Sequence, residues 1–74
     1  MFIVLEIQTD ASGASSVLPA QTFADYNEAM SRFHTILAFA ATSTVAHHTA
    51  VVMHYSGEIR AAECFDHIIE EPEA

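Results

Sequence analysis

The sequence predicts an α+β fold in which one helix packs on one face of a four-stranded, mainly antiparallel sheet. Two short apolar segments precede a central segment with apolar residues at three- and four-residue steps, and two more strand-like segments follow it. Turn residues separate the strands of each pair, so the element order is β-β-α-β-β. The simplest packing of these elements has two layers. We expect a single domain over residues 1–68 and an acidic tail over residues 69–74.

The first two strands are predicted to form a hairpin. Residues 1–9 alternate, with Ile3, Leu5 and Ile7 on one face and Phe2, Val4 and Glu6 on the other. The turn segment TDASGASS follows, and residues 16–23 form a weaker second strand. Pro19 cannot donate a hydrogen bond to a ladder, so we expect this strand at an edge of the sheet.

Residues 25–44 are predicted to form the helix. Asp25 can cap it, with Glu28 at the spacing of a capping box, and Thr22 is a competing cap. One apolar stripe comprises Ala29, Met30, Phe33, Leu37, Ala40 and Ala41. Arg32 lies away from this stripe, and the Thr-Ser-Thr segment at 42–44 lets the helix end. Such a stripe is typical of a helix face that packs in a core.

The last two strands are predicted over residues 47–55 and 58–67, joined by a tight turn at Ser56-Gly57. A two-residue turn would place Met53 opposite Arg60 and Val51 opposite Ala62. A three-residue loop would reverse the faces of the last strand, so the register depends on the length of the turn.

Both faces of the predicted sheet carry apolar side chains, and 51% of the 74 residues are hydrophobic. A chain of this length has too little interior to hold them all. One helix covers one face, and we expect the other to carry Phe2, Val4, Ala50 and Val52 or their neighbours. A second copy is predicted to cover that face, which makes the protein a dimer or a larger homo-oligomer.

The charge is strongly acidic, with ten acidic and two basic residues and a net charge of −8. This balance argues against direct binding to nucleic acid, which needs clustered Lys and Arg, and against anionic lipid. The first residues lack a basic segment and include Glu6, so they are interpreted as a strand and not as a signal peptide. No run approaches the ~18 apolar residues of a membrane span. The single cysteine fits a reducing compartment, and we expect a cytoplasmic protein.

The segment STVAHHTAVVMHY at residues 43–55 raises the possibility of a metal site. His47 and His48 are adjacent on a strand and point to opposite faces, while His48 and His54 share a face roughly 20 Å apart. Zinc needs three or four ligands within about 2 Å, so neither pair can hold one ion and no metal or cofactor is expected. A site between subunits stays open, with His34, His48 and His54 as candidates. Protonation near a pKa of about 6.5 would make such an assembly sensitive to pH.

No catalytic residue is predicted, and we expect a protein that is not an enzyme. Cys64 lies in a predicted strand among apolar neighbours, where a buried and inert thiol is the usual outcome. Glycine occurs only at positions 13 and 57, which leaves no glycine-rich turn for an oxyanion hole or a phosphate. The paired acids Glu70 and Glu71 lie in the tail, which cannot hold the fixed geometry of acid–base catalysis.

Three segments carry a resemblance to known sequences: MFIVLEIQTD at residues 1–10, NEAMSRFHTILAFAATSTVAHHTAVVM at residues 27–53, and the glutamate-rich end. In them the chain resembles a group of short hypothetical proteins of gut Firmicutes and their prophages. Here Phe33-His34 stands where that group has Tyr-His. The resemblance implies a bacterial or phage setting and marks His34, His47 and His48 for inspection, but it implies no activity.

Three functions follow from these patterns. The first is a small self-associating accessory or structural protein, of the bacterial or prophage setting that the resemblance implies, that uses the sheet face without the helix. The second is an acidic binding or inhibitor protein that occupies a basic groove of a host partner. The third is a ligand- or metal-binding oligomer with a site of His and Tyr side chains between subunits. We favour the first, because apolar content exceeds the needs of the core and no polar side chains converge.

Overall fold

The computed structural model describes residues 1–67, and it confirms an α+β fold with one helix and an antiparallel sheet. Its elements are β1 (Phe2–Thr9), β2 (Ser15–Val17), β3 (Gln21–Phe23), α1 (Tyr26–Ala40), β4 (His47–His54) and β5 (Ile59–Asp66). The strands lie in the order β2-β1-β4-β5, and β3 pairs with β1 beside β2. The predicted acidic tail at 69–74 and the end of the predicted domain at residue 68 lie outside the described residues.

The predicted second strand is two strands, so the described sheet has five strands instead of four. Ile7 lies opposite Val17 in β2, and Val4 lies opposite Gln21 in β3. Between them the backbone N–H of Leu18 donates to the carbonyl of Glu6 at 2.9 Å, and then Pro19 interrupts the pairing. Because proline has no N–H, the ladder stops there and the chain bends away from β1 before it pairs again. The edge position predicted from Pro19 is confirmed.

Both hairpins turn through the same three-residue loop, which ends in a Ser-Gly pair. The N–H of His54 donates to the carbonyl of Glu58 at 2.8 Å, and the Gly57 N–H donates back to the His54 carbonyl at 2.8 Å. Asp10 and Gly13 repeat this pattern in the first hairpin. Each glycine has a positive φ, 93° at Gly13 and 97° at Gly57, which other residues rarely adopt. The predicted two-residue turn at 56–57 is therefore wrong.

The register of the last hairpin is confirmed in part. Val51 lies opposite Ala62 as predicted, but Met53 lies opposite Ile59 instead of Arg60. A bulge between Val52 and Met53 accounts for the difference. One extra residue on β5 near the turn shifts the pairing by one position and leaves the rest of the ladder in the predicted register.

The helix begins where the sequence indicates and ends earlier than predicted. The carboxylate of Asp25 accepts a hydrogen bond from the Asn27 N–H at 3.2 Å, which confirms this N-cap over Thr22. The helix ends at Ala40, since the N–H groups of Thr42 and Ser43 bond three residues back and tighten the last turn. The side chain of Ser43 then accepts from the Val45 N–H at 2.9 Å, which stabilises the exit into the loop.

The core lies between α1 and the face of the sheet that β1 and β4 turn towards it. The fully buried helix residues are Ala29, Phe33, Ile36 and Ala40, so Ile36 belongs to the stripe and the exposed Ala41 does not. From the sheet, Val4, Ala50 and Val52 are buried in the same cluster, and Phe2 packs against it. Ala29 and Ala50 are 0% exposed, and their small side chains let the helix approach the sheet closely.

The prediction that Phe2, Val4, Ala50 and Val52 face away from the helix is therefore wrong. Val4 lies opposite Val52, so the even-numbered residues of β1 and β4 share one face, and α1 packs on that face. The odd-numbered residues form the other face. The alternation of β1 separated the two sets correctly, but both are apolar, and the pattern alone could not assign the helix to one of them.

Candidate functional site

The face of the sheet opposite α1 carries a continuous apolar surface, which we call the open face. It comprises Ile3, Leu5, Ile7, Val17, Val51, Met53, Ile59 and Ala62, which the strand register brings together. Leu5 lies opposite Val51 at its centre, and Ile3 lies opposite Met53. The β1 and β4 members are half-buried by their neighbours, whereas Val17 is 61% exposed. Among residues 1–67, the charged side chains on this face lie at one end of the surface, in the pair His47 and Asp66.

The area of the open face is comparable with that of the largest apolar patches of monomeric proteins, and two such faces together reach the area of a small interface. Strands of eight residues extend about 26 Å, and four strands at about 4.8 Å spacing span about 19 Å, so the footprint is about 500 Å². The largest apolar patches of monomeric proteins measure about 300–600 Å² and are often functional. Two such faces together give about 1,000 Å², which is the lower limit of specific protein–protein interfaces.

The three histidines considered for a site between subunits do not converge within the chain. His34 is exposed on the helix, with its ring edge-on to Phe33. His54 lies near the second turn, where its Nδ1 accepts from the N–H of Ser56 at 3.3 Å. His48 is buried at the other end of the same strand and is 4% exposed. Over residues 1–67 there is no group of three His, Cys, Asp or Glu side chains that could hold a metal ion.

His48 and Glu6 form a buried pair on the helix side of the sheet. The Nε2 atom of His48 lies 2.6 Å from Oε2 of Glu6, and Nε2 of Gln8 donates to the same oxygen at 3.5 Å. Nδ1 of His48 is buried without a partner among the described residues. A proton there would be a buried, unpaired N–H, so the surroundings fit a neutral ring that donates from Nε2.

The neighbouring His47 forms a second cross-strand pair, at the surface. Its Nδ1 lies 2.6 Å from Oδ1 of Asp66, directly opposite on β5. The hydrogen bond from His47, and a second from the thiol of Cys64 at 3.4 Å, hold the pKa of Asp66 below its ordinary value. Cys64 is exposed on the side of the open face, which corrects the expectation of a buried thiol.

His67 has a structural role that the sequence did not indicate. Its Nε2 lies 2.6 Å from the carbonyl oxygen of Ala40, and its backbone N–H donates to Ala46 at 2.6 Å. The carbonyls of a final helical turn lack partners within the helix. The imidazole of His67 thus caps the C-terminal end of α1 and ties β5 to the helix.

The break between β2 and β3 opens a cleft of about 140 Å³ beside the helix, which we call the β2–β3 cleft. Its lining residues are Val4, Glu6, Leu18, Pro19, Gln21, Arg32 and Ile36. Arg32 lines this cleft and is half-buried, and its Nε is buried without a hydrogen-bond partner among residues 1–67. Sequence reasoning missed this site. Two signals were available in the sequence. Pro19 lies within a predicted strand, and Arg32, one of only two arginines in the sequence, lies on the helix.

A second hollow of about 300 Å³ lies between the first hairpin and the loop after the helix. Its lining includes Gln8, Asp10, Ser16 and Thr44. Among the described lining residues the charged one is Asp10, whose Oδ1 already accepts hydrogen bonds from Ser12 and Ala14. These bonds, first among them that from the Ser12 side chain, lower the pKa of Asp10 and stabilise the turn. The carboxylate of Asp10 is thus used in hydrogen bonds within the hairpin turn. The described lining residues of the hollow offer no second charged side chain beside it.

Comparison with protein-family models, with curated proteins and with solved structures found no match to this chain. Among the described residues there is also no helix with the length and hydropathy needed to cross a membrane. The arguments on function therefore rest on the geometry of the open face and the β2–β3 cleft.

Proposed function

We propose that this is a non-enzymatic, self-associating protein, an accessory or structural component of a bacterium or its prophage, that forms a homodimer through the open face. The observation that supports the proposal is the continuous row of Ile3, Leu5, Ile7, Val51 and Met53 on the sheet face opposite α1. Half-exposed aliphatic side chains in this number are unfavourable in water, and a second copy offers the same apolar surface.

The geometry of two sheets favours this mode of association. Sheets that pack face to face lie about 10 Å apart, and their inward side chains interdigitate as in a β-sandwich. Two helices would then lie on the outside of the dimer, in a four-layer arrangement. The net charge of −8 on each copy opposes association, so salt, which screens this repulsion, strengthens the dimer.

The test compares the subunit number of two variants. One introduces a charge at the centre of the open face, and the other introduces the same charge outside it. Leu5→Glu introduces a carboxylate opposite Val51, and burying it in an interface is strongly unfavourable. The matched control is Phe39→Glu, because Phe39 is 68% exposed on the opposite layer of the molecule. Sedimentation at several protein and salt concentrations gives the subunit number, and circular dichroism checks that the helix and sheet content is kept.

We expect a dimer for the wild type and for Phe39→Glu, and a folded monomer for Leu5→Glu. A wild type that sediments as a monomer at high concentration and high salt would overturn the proposal. In that case the acidic residues of the exposed edge strand β5, Glu63 and Asp66, favour the alternative of an acidic protein that binds a basic partner. Binding of that kind weakens as salt is raised, whereas the proposed dimer does not.

A further inference from the structure

Two side chains of opposite charge line the β2–β3 cleft, and over residues 1–67 they do not form an ion pair with each other. Arg32 comes from α1 and Glu6 from β1, and both line the same hollow of about 140 Å³. Within residues 1–67 the arginine that forms an ion pair is Arg60, with Glu58 at 3.0 Å. The cleft that both side chains line has room for a small molecule.

Arg32 is the positively charged residue that lines the cleft. The Nε atom of Arg32 is buried and has no partner among the described residues, although the side chain as a whole is only half-buried. Buried N–H groups without acceptors are rare and unfavourable in folded proteins. A guanidinium binds a carboxylate through two parallel hydrogen bonds, which suits an acceptor placed in the cleft.

The carboxylate of Glu6 is fixed in position. Oε2 of Glu6 is held by Nε2 of His48 at 2.6 Å, and Gln8 approaches the same oxygen. The unpartnered Nδ1 of His48 fits a ring that donates from Nε2 to the carboxylate of Glu6. The fixed carboxylate is therefore available to a cation that enters the cleft.

We propose that the β2–β3 cleft binds a small zwitterion, namely a free amino acid of the size of glycine or alanine. Its carboxylate binds the guanidinium of Arg32, and its ammonium group binds Glu6. The apolar walls formed by Val4, Leu18 and Ile36 accept a short aliphatic side chain and reject a charged one. A simple anion is repelled by Glu6 and a simple cation by Arg32, so a ligand with both charges binds better than either.

The cleft is on the helix side of the sheet, and the open face is on the other. Ligand binding and dimer formation therefore use separate surfaces, so a negative result in the test of one does not contradict the other.

The test is a titration of the ¹⁵N-labelled protein with glycine, followed by NMR. We expect affinity in the millimolar range, with shifts of the backbone amides of Glu6, Leu18 and Gln21 and of the Arg32 Nε–H signal. Acetate alone and methylammonium alone should each bind about tenfold more weakly than glycine, because each makes half of the contacts. Arg32→Gln should reduce glycine affinity about tenfold or more. The matched control, Arg60→Gln, removes the same charge from the exposed arginine and should leave the affinity unchanged.

Three outcomes would overturn the inference: no shifts with glycine at concentrations well above the millimolar range, equal binding of acetate and glycine, or equal losses in Arg32→Gln and Arg60→Gln. Arg32→Lys is the second variant if Arg32→Gln does not fold. It keeps the charge but loses the two-point contact, and it should retain part of the affinity.

Discussion

The Nε2 atom of His48 lies 2.6 Å from Oε2 of Glu6, inside the molecule and across the two central strands. The two residues are 42 positions apart in the chain and meet because β1 and β4 pair. This hydrogen bond joins the N-terminal and C-terminal hairpins on the side of the sheet where the helix packs.

Replacing Glu6 by leucine should lower the free energy of unfolding by about 1–3 kcal/mol, because it leaves the His48 N–H buried and unpaired. The double variant Glu6→Leu/His48→Leu should recover most of this loss, since no polar atom of the pair is then left alone. Urea denaturation of the two single variants and the double variant measures the coupling. Additive losses would mean that the two side chains do not interact in solution. Glu6→Gln, which keeps an acceptor for the ring, is the matched control.

Two phenylalanines six residues apart on α1 provide a test of the core. Phe33 is 5% exposed in the core cluster, and Phe39 is 68% exposed on the outer side of the helix. Phe33→Ala should cost about 3–5 kcal/mol, which is a large fraction of the total stability of a domain of this size. Phe39→Ala should change stability by no more than about 0.5 kcal/mol. Thermal unfolding followed by circular dichroism distinguishes them, and similar melting temperatures would contradict the placement of α1.

The pair of His47 and Asp66 predicts a stability effect at acid pH. The pKa of Asp66 is held below its ordinary value of 3.8 in the folded state, first by the hydrogen bond from His47. A lowered folded-state pKa means that stability is present above pH 3.8 and is lost as the pH falls through the folded-state pKa.

NMR titration of the Asp66 carboxyl signal tests this directly. His47→Ala should raise the pKa of Asp66 towards 3.8 and should not change that of Asp10, which is lowered by its own turn. The second residue is therefore an internal control in the same spectrum. If the Asp66 pKa is the same in the wild type and in His47→Ala, the cross-strand hydrogen bond does not persist in solution.

Local signals in the sequence were sufficient to predict the helix and most of the strands. They were insufficient to predict which faces of these elements pack against one another. Asp25 marked the start of the helix and Pro19 marked an edge strand, because each acts through its own backbone neighbours. The side of the sheet on which α1 packs depends on the small side chains of Ala29 and Ala50, which meet only in the folded molecule. The candidate sites were missed for the same reason. Glu6 and Arg32 carry no local signal of a site, and Glu6 meets His48 only through the non-local pairing of β1 with β4.

The central position of β1 has a consequence during synthesis. Its main partner is β4. Even the β1–β4 pair with the smallest sequence separation, Thr9 with His47, is separated along the chain by β2, β3 and α1. Pairing of residues so distant in the chain is slow compared with hairpin formation. On the ribosome, residues 1–9 are made before β4, and until β4 follows they have one ladder edge and both apolar faces uncovered. During synthesis β1 therefore needs protection from aggregation for a time set by the rate of translation and not by the stability of the finished fold.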